Sequence, residues 1–358
     1  MNFDLDDDQR AFEQTLLDFF QRDLPLPAVR DVMEGTGTSD DLWKHLASFG
    51  VLGMAVAERH GGLGLELLDL AVAAETLGFV ASPGPFLEHV VAALAISLGG
   101  SEAQQARWLP GLADGTVRAT VALAEDGRRW LPGEWRLPGG ERLAGRKRWV
   151  LNPAGADLLV VGTRGGLALV ERSAVQRVDA VEALDLTRRL AHVDLDGPAE
   201  PLGGDGDVAG RVIDAALILL AADAAGAARR CTSMAVDYAK HREQFGVTIG
   251  HFQALKHQLA DLALESEPLR GLYWYAAHAW DHVAADRAKF AALAKAHVTE
   301  RAVDVGRRAI EAHGGIGYTW EADVHLFLKR ALFDRAYLGS PSQHRATVAA
   351  LHGWPTVS

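Results

Sequence analysis

The spacing of apolar side chains divides the chain into three blocks. From residue 1 to about 115 the apolar positions recur three and four apart, as Leu16 and Phe20 do, and this period is typical of amphipathic helices. Asp40 or Asp41 stands where the N-cap of a further helix is expected. The first block is therefore predicted to be helical.

The period changes from helical to extended near Val117. Short β-type runs, separated by glycine and proline, continue from there to about residue 205. Two of these runs flank Arg164-Gly165-Gly166, a sequence that favours the bend of a hairpin. We expect residues 116–205 to form a small antiparallel barrel or sandwich.

The helical period returns after residue 206. Val212–His241 and Phe252–Asp281 are each long enough for one helix that spans a domain. A third stripe runs from Phe290 to Ala309, and a fourth helix is expected after Glu321, which together predict an antiparallel four-helix bundle. The expected fold is α+β and mostly α, with a helical domain at 1–115, a β-domain at 116–205 and the bundle at 206–358.

Composition narrows the range of functions. The chain has 358 residues, which suits two or three domains, and its net charge of −11 argues against a nucleic-acid partner. The longest apolar run, Ala215–Ala222, lies between Asp214 and Asp223, so we expect a buried helix and no membrane association. The acidic N-terminus lacks the layout of a secretion signal, and the single Cys231 fits a reducing cytoplasm. The fourteen histidines show no spacing that indicates a metal site.

The stretch His241–Asp261 is rich in polar and basic side chains. A glycine-ended turn leads into a helix, and Arg242 lies near the helix start, where free N–H groups and a forked guanidinium suit a phosphate. The helix has an apolar face that is expected to be buried, formed by Phe252, Leu255, Leu259 and Leu262. From the residues alone two interpretations stay open, an anion site and a solvated turn before a core helix.

The same stretch resembles the signature of the acyl-CoA dehydrogenase flavoproteins. Eleven residues within Arg242–Asp261 match it: Arg242, Gln244, Phe245, Gly246, Ile249, Phe252, Gln253, Lys256, Leu259, Ala260 and Asp261. The resemblance implies that Arg242, Phe245 and Gln253 reach across a subunit interface. There they hold the adenosine diphosphate part of an FAD that is seated mainly in the neighbouring chain.

A glycine turn further along extends the resemblance. Residues 311–321 interrupt the third helix at Gly314-Gly315, which alone is equally readable as a C-terminal glycine cap. In the family a His-Gly-Gly-x-Gly turn meets the flavin diphosphate of the partner subunit. Glu311 stands where the family commonly has Gln and would face that phosphate. The order of helices, β-domain and helices is also the family layout, so the resemblance covers nearly the whole chain.

The chain departs from the family where the catalytic base is expected. Members remove an α-proton from an acyl thioester with a Glu while a hydride passes to the flavin N5. In most of them that Glu lies in a Tyr-Glu-Gly-Thr segment, which here reads Tyr337-Leu338-Gly339-Ser340. In a minority the Glu lies on the long helix before the signature, where this chain has Ala216. Both base positions are therefore empty, and Ser340 keeps a cofactor-binding position.

The β-domain departs in the same direction. The family's Thr-Glu-Pro strand and Gly-Ser-Asp turn for the flavin ring are replaced by a segment that begins Ala124-Glu125-Asp126-Gly127. The matching Gly-x-Lys-x-Trp segment survives as Gly145–Trp149, so Trp149 keeps a cofactor-binding position, but Leu151 replaces the expected Thr. Residues lent to a neighbour's FAD are kept, whereas residues that hold the chain's own flavin ring are changed.

Three hypotheses follow. The first is a non-catalytic, cofactor-sharing subunit of a heteromeric acyl-CoA dehydrogenase that contains two copies of each chain. Its substrates would be bulky CoA thioesters, such as those of steroid side chains, and the catalytic partner would hold them for the most part. The second is an independent flavoenzyme that uses another base or runs reductase chemistry. Asp214 and Glu125 are the candidate bases, although each can also be interpreted as a surface or helix-end charge. The third is a helical scaffold or regulatory partner that binds no flavin.

Overall fold

The computed structural model describes residues 4–204 and 207–353. In chain order the helices are α1 (Asp7–Asp23), α2 (Leu26–Glu34), α3 (Asp40–Ser48), α4 (Leu67–Phe79), α5 (Phe86–Gly99), α6 (Glu102–Ala113), α7 (Val208–His241), α8 (Gln253–Ser266), α9 (Leu269–His282), α10 (Arg287–His313), α11 (Val324–Ala336) and α12 (Pro341–His352). The strands are β1 (Ala119–Ala122), β2 (Arg142–Leu151), β3 (Leu158–Thr163), β4 (Gly166–Glu171), β5 (Val175–Val181), β6 (Leu190–Pro198), β7 (Glu200–Pro201), β8 (Glu243–Gln244) and β9 (Val247–Thr248).

The contacts divide the chain into two compact units. One comprises Met1–Arg30, Ala71–Ser82 and Leu217–Ser358, and the other comprises Asp31–Leu70 and Pro83–Ala216. The first is helical, and the second contains the sheets β1–β7 together with α3, α5 and α6. The mostly helical α+β fold predicted from the sequence is confirmed.

The N-terminal helices begin at side-chain caps. Asp6 caps α1 in a reciprocal capping box with Gln9. The cap of α3 is Ser39, whose hydroxyl accepts from the Leu42 N–H at 3.2 Å. The expectation that Asp40 or Asp41 caps this helix is wrong, because a serine one residue earlier accepts the bond and both aspartates lie in the first turn.

The helix α5 is apolar on all sides because neighbouring elements surround it. Its two buried polar residues are each hydrogen-bonded. Glu88 accepts from the Asn152 side-chain amide at 2.5 Å, while the His89 ring lies 3.0 Å from the Leu112 carbonyl and accepts from the Ala119 N–H at 3.2 Å. A helix of this composition is expected in a core, where each polar atom needs a partner.

The β-region is built from two sheets, with strand orders β1-β3-β4-β7 and β2-β6-β5. Apolar residues of both sheets, such as Val161 and Val193, share one core. The hairpin β3–β4 turns at Arg164-Gly165, as predicted. Two details differ from expectation: β1 pairs with β3 in parallel, and β5 was not predicted.

In the helical unit, α10 packs against α8, α9, α11 and α12. Val212–His241 and the stripe from Phe290 to Ala309 lie within single helices, as predicted, whereas the predicted helix Phe252–Asp281 is divided into α8 and α9. The division falls at Pro268, because proline has no N–H to donate to the preceding turn and its ring clashes with that turn.

Buried charges connect the helices of this unit. The Glu75 carboxylate of α4 accepts from Arg229 at 2.5 Å, from Arg270 at 2.8 Å and from the Tyr273 hydroxyl. Arg330 of α11 donates to both Asp223 oxygens, at 2.6 and 2.8 Å. Paired in this way, the buried charges join α4, α7, α9 and α11 in one arrangement.

Within the part of the chain that the structure describes, no helix combines the length and apolarity needed to cross a membrane. The same residues contain no group of three or more His, Cys, Asp or Glu side chains that could hold a metal ion.

Candidate functional site

A two-residue hairpin follows α7. Its corner is formed by Phe245 and Gly246, with φ values of +56° and +80°, between β8 and β9. The Ile249 N–H donates to the Arg242 carbonyl at 2.7 Å and closes the turn. Two positive φ values are typical of a type I′ hairpin, in which a bulky residue such as Phe245 is strained. The Phe245 ring is 93% exposed, which indicates a contact surface for another molecule.

A glycine turn follows α10. Gly314 adopts φ +67° and ψ −147°, a conformation that side-chain-bearing residues rarely take. A Cβ atom added at Gly314 or Gly315 would meet no other atom within 4 Å, so the backbone here faces open space. The preceding His313 is buried, and its ring stacks on Tyr238 at 4.7 Å between centroids. A ligand can therefore approach the backbone of this turn closely.

The hairpin and the glycine turn line one cavity of about 460 Å³. We name it the nucleotide cavity after the ligand proposed for it below, and its lining residues are Tyr238, Arg242, Gln244, Ile249, Glu311, Ala312, His313, Gly314, Gly315 and Ile316. Four of the predicted cofactor-binding positions, Arg242, Glu311, Gly314 and Gly315, thus come together although about 70 residues separate the two segments in sequence.

The nucleotide cavity combines groups suited to a diphosphate with one group that opposes it. The Arg242 guanidinium is a forked donor, and the glycine backbone can supply N–H groups where no side chain intervenes. Glu311 adds a carboxylate on the same wall, which repels a phosphate. The balance favours a ligand that carries an anion near Arg242 and the glycines, at reduced affinity because of Glu311.

Two further predicted positions lie next to the cavity. Gln253 is the first residue of α8, whose N-cap, Phe252, makes no side-chain capping bond. The Phe245 ring meets the Phe252 ring edge-on, at 6.1 Å between centroids. Phe245 and Gln253 are absent from the cavity wall itself, so their role depends on a ligand or partner that extends beyond the cavity.

The expected burial of the apolar face of α8 is wrong within this chain. Of its four residues Leu262 is buried, Leu255 and Leu259 are half-buried, and Phe252 is exposed. The contacts of α8 with α10 leave this apolar surface uncovered, and a surface of that kind is typical of protein–protein contact.

The two positions compared with a catalytic Glu hold buried apolar side chains. Leu338 and Ala216 are 1% and 2% exposed. Leu338 adopts φ +57° and Gly339 φ +108°, in the turn between α11 and α12. Ser340 caps α12, since its hydroxyl accepts from the Gln343 N–H at 3.4 Å. Neither Leu338 nor Ala216 can accept a proton, and Ser340 has a structural role in the cap.

Two buried basic residues hold this turn, and neither was predicted from the sequence. The Lys295 ammonium donates to the Gly339 carbonyl at 3.2 Å and to the Arg335 carbonyl at 3.3 Å. The Nε2 atom of His344 lies 2.9 Å from the Leu338 carbonyl. Burial lowers the pKa of Lys295 to about 7 and the pKa of His344 to about 4. In the sequence, the sign of a buried basic residue is that Lys295 lies within the apolar stripe of α10.

Glu125 and Asp214, the alternative candidate bases, are both buried, at 6% and 8% exposed. Their interpretation as surface or helix-end charges is therefore wrong. Glu125 accepts from the Lys147 ammonium at 2.7 Å and from the N–H groups of Arg136 and Leu137 at 2.7 and 3.0 Å. Burial raises the pKa of Glu125, but these donors outweigh it and the net pKa is lowered. A carboxylate occupied in this way is a poor proton acceptor.

Trp149 lies at an irregularity of β2. It adopts φ +49° where the pairing of β2 with β6 shifts register, and its N–H donates to Nδ1 of His192 at 3.3 Å. Its indole stacks on Trp130, with 5.3 Å between centroids and 29° between planes. The ring of Trp149 therefore already has an aromatic partner from the same chain.

Two family models match the chain: "Acyl-CoA dehydrogenase, N-terminal domain" over residues 6–116 and "Acyl-CoA dehydrogenase, C-terminal domain" over residues 204–351. Acyl-CoA dehydrogenase IpdE2 of Mycobacterium tuberculosis is 33% identical over 339 residues, which are 94% of this chain and 95% of that protein. The chain belongs to the acyl-CoA dehydrogenase family.

Similar solved structures support this membership. A variant described as the Tcur3481-Tcur3483 steroid ACAD is 31% identical, with a TM-score of 0.89 and coverage of 97% of this chain and 98% of that chain. A structure described as an FAD-dependent dehydrogenase is 25% identical, with a TM-score of 0.85 and coverage of 99% and 100%. Membership supports an oxidoreductase.

Proposed function

We propose that this chain is the cofactor-sharing subunit of a heteromeric acyl-CoA dehydrogenase. It lends Arg242, Phe245, Gln253, Gly314 and Gly315 to the adenosine diphosphate part of an FAD seated mainly in a catalytic partner chain. The partner supplies the carboxylate that removes the α-proton, and the complex contains two copies of each chain.

The observation that carries the proposal is a contrast within one chain. Arg242 and the open backbone of Gly314 and Gly315 meet in the nucleotide cavity. Leu338 and Ala216 are buried and apolar at the positions of the base. A subunit that holds a nucleotide but contributes no base has a use only when the reacting centre belongs to another chain.

The groups in the nucleotide cavity fit the diphosphate of FAD. The Arg242 guanidinium, which lines the cavity, would donate hydrogen bonds to phosphate oxygens, and Gly314 and Gly315 leave room for phosphate against the backbone. Phe245, which is exposed on the adjoining hairpin, would cover an adenosine that extends from the cavity. When bound, the flavin supplies the acceptor for the hydride that leaves the β-carbon of the thioester.

The exposed surface around α8 supports a partner chain. Phe252, which precedes the helix, and Phe245 on the hairpin are apolar and exposed, and their rings meet edge-on. A partner that covers these side chains removes their apolar surface from water, which favours association. Because the same surface adjoins the nucleotide cavity, association would bring the partner's cofactor to Arg242.

The substrate class we propose is a bulky CoA thioester with a steroid side chain, held mainly by the partner. Its support is the similarity to the steroid ACAD structure. Ala216 and Leu338 are also uncharged, so neither predicted position of a Glu carries a charge in this chain. The buried thiol of Cys231 supports a reducing compartment, so we place the complex in the cytoplasm.

The assignment of chemistry to the partner is tested by measuring activity in separated and combined chains. We expect the purified chain to show no dehydrogenation of any CoA thioester in a dye-reduction assay, and the co-expressed complex with a catalytic family member to be active. Replacing the catalytic Glu of the partner with Gln should abolish that activity. Full activity of this chain alone, with no partner present, would overturn the proposal.

A further inference from the structure

Trp130 covers one face of the Trp149 indole. Their centroid separation of 5.3 Å and interplanar angle of 29° lie within the geometry of paired aromatic rings, roughly 4.5–7 Å apart. Trp130 itself is buried, and Trp149 is half-buried. We name the covered face of Trp149 the indole shelf. A second flat ring can stack on this shelf only if Trp130 leaves it.

The backbone around Trp130 is held by its own segment. The N–H groups of Trp130 and Leu131 donate to one oxygen of Glu134, at 2.9 and 3.0 Å. The Trp130 carbonyl accepts from the indole N–H of Trp135 at 3.2 Å, and Trp135 is fully buried. These bonds fix the backbone on both sides of the Trp130 Cα, so the ring is directed at the shelf.

Both ends of the segment are also tied to the sheet that carries Trp149. At the start, the Arg148 N–H of β2 donates to the Ala124 carbonyl at 2.9 Å, and the Arg148 guanidinium pairs with Asp126 at 2.7 Å. At the end, the Glu125 carboxylate accepts from the N–H of Leu137. Lys147, two residues before Trp149, pairs with the same carboxylate. The segment is therefore fastened over the shelf rather than loosely packed on it.

We infer that Trp130 closes the chain's own flavin-ring position, so that an isoalloxazine ring is excluded from the indole shelf. A second step rests on the proposed function. If this chain is one of two unlike chains in a complex, the flavin ring of that complex lies on the partner only. The chain would then bind the adenosine diphosphate part of the partner's FAD and would bind no flavin ring of its own.

The inference is tested with two fragments of the cofactor. Riboflavin carries the ring without the diphosphate, and ADP carries the diphosphate without the ring. The full chain is titrated with each, following quenching of flavin fluorescence for riboflavin and heat release for ADP. Trp130→Ala opens the shelf, whereas Trp130→Phe keeps a flat ring over it and serves as the matched control.

We expect no saturable riboflavin quenching with the unmodified chain or with Trp130→Phe. Trp130→Ala should show saturable quenching, with a Kd at least about tenfold below the highest riboflavin concentration at which the other two chains fail to saturate, which corresponds to one ring stacking. ADP binding should be the same in all three. A second change, Trp149→Leu, made together with Trp130→Ala, should remove the gain.

Two results would overturn the inference. One is riboflavin binding by the unmodified chain that Trp149→Leu abolishes, because the shelf is then open. The other is a folded Trp130→Ala chain with no gain in riboflavin binding. If circular dichroism shows that Trp130→Ala is unfolded, Trp130→Leu replaces it, since leucine keeps apolar volume without a flat ring. If the unmodified chain does not bind ADP, the proposed function is contradicted. The inference about Trp130 is unaffected by that result.

Discussion

Nε2 of His344 lies 2.9 Å from the carbonyl oxygen of Leu338, and this contact fixes the backbone at one of the two positions that the sequence comparison predicts for a catalytic Glu. Lys295 holds the next carbonyl, that of Gly339, at 3.2 Å. The turn between α11 and α12 thus keeps a defined geometry although its side chain at residue 338 has no acid–base function.

Restoring a carboxylate at this turn tests whether the missing base alone explains the proposed role. We predict that Leu338→Glu gives the isolated chain no dehydrogenase activity and changes the activity of the complex by less than about twofold, because the reacting flavin ring lies on the partner. The buried carboxylate should lower the free energy of unfolding by about 1–3 kcal/mol, as measured by urea denaturation.

Leu338→Gln is the control for that experiment, since it has the same shape without the charge. Dehydrogenation of a CoA thioester by the isolated Leu338→Glu chain supplied with FAD, and not by the Gln variant, would contradict the account. It would show that this chain can seat its own flavin ring.

The pKa of Lys295 predicts a dependence of stability on pH. Burial lowers this pKa to about 7 from a usual value of 10.5, and Asp334 only partly offsets the burial. Between pH 7 and 10.5 the unfolded chain therefore binds a proton that the native chain does not. The contribution of Lys295 to stability rises with pH in this window by up to about 1.4 kcal/mol per unit, and it is most unfavourable below pH 7.

Lys295→Met should remove this slope. Relative to the unmodified chain, the variant should be most stable near pH 7, and the difference should fall as the pH approaches 10 in urea unfolding series. Lys44→Met is the control, because that side chain is 76% exposed and its removal should leave the slope unchanged. Equal slopes for Lys295→Met and the unmodified chain would show that Lys295 keeps its proton in the fold.

The nucleotide cavity predicts opposite effects for its two charged residues. Arg242→Ala should weaken ADP binding by about 10–100-fold, which is the loss of charge-assisted hydrogen bonds. Arg242→Lys should be intermediate because an ammonium cannot reproduce the fork. Glu311→Gln should tighten binding several-fold by removing a repulsive charge from the same wall.

Isothermal titration calorimetry with ADP measures all three variants. Arg345→Ala provides the control, since Arg345 pairs with Glu300 outside the cavity and its loss should not change ADP binding. If Arg242→Ala binds ADP as tightly as the unmodified chain, the cavity is not a nucleotide site.

The buried pair of Glu125 and Lys147 is predicted to be structural. Glu125→Gln leaves the Lys147 charge buried without its partner, so the free energy of unfolding should fall by about 3–5 kcal/mol. The double variant Glu125→Gln/Lys147→Met should recover a large part of that loss. Asp196→Asn, which breaks an exposed pair with Arg142, should cost less than about 1 kcal/mol.

Chemical denaturation of these variants decides between a structural pair and a catalytic carboxylate. A Glu125→Gln chain of unchanged stability whose complex loses activity would support the alternative of a second base in this chain.

The spacing of apolar residues predicted the long helices α7 and α10, because each of them buries a continuous apolar stripe along most of its length. Pro268 interrupts the helical pattern of Phe252–Asp281, and a proline at such a position is the sequence signal for the division into α8 and α9. The strand β5 has Arg177 and Asp179 between its valines. It contains too few apolar residues for an alternation of apolar and polar positions to be recognised as a strand.

The candidate site was predictable only in part. Arg242 and Gly314 were recognised from local sequence, but the cavity that unites them depends on the stacking of Tyr238 against His313 from separate helices. The cover over Trp149 depends on Trp130, which is 19 residues earlier in the sequence. Contacts of this kind leave no periodic signal. The burial of the apolar face of α8 was wrongly predicted, because the spacing of apolar residues does not show whether other elements of the chain cover that face.

The most direct test of the central claim is the number of FAD molecules in the purified complex. Flavin released by denaturation is measured by absorbance, and each chain is quantified separately after denaturing chromatography. We predict one FAD for each pair of unlike chains and no FAD in this chain purified alone. One FAD for every chain in the complex, or one retained by the isolated chain, would contradict the claim that this subunit shares a cofactor without seating its ring.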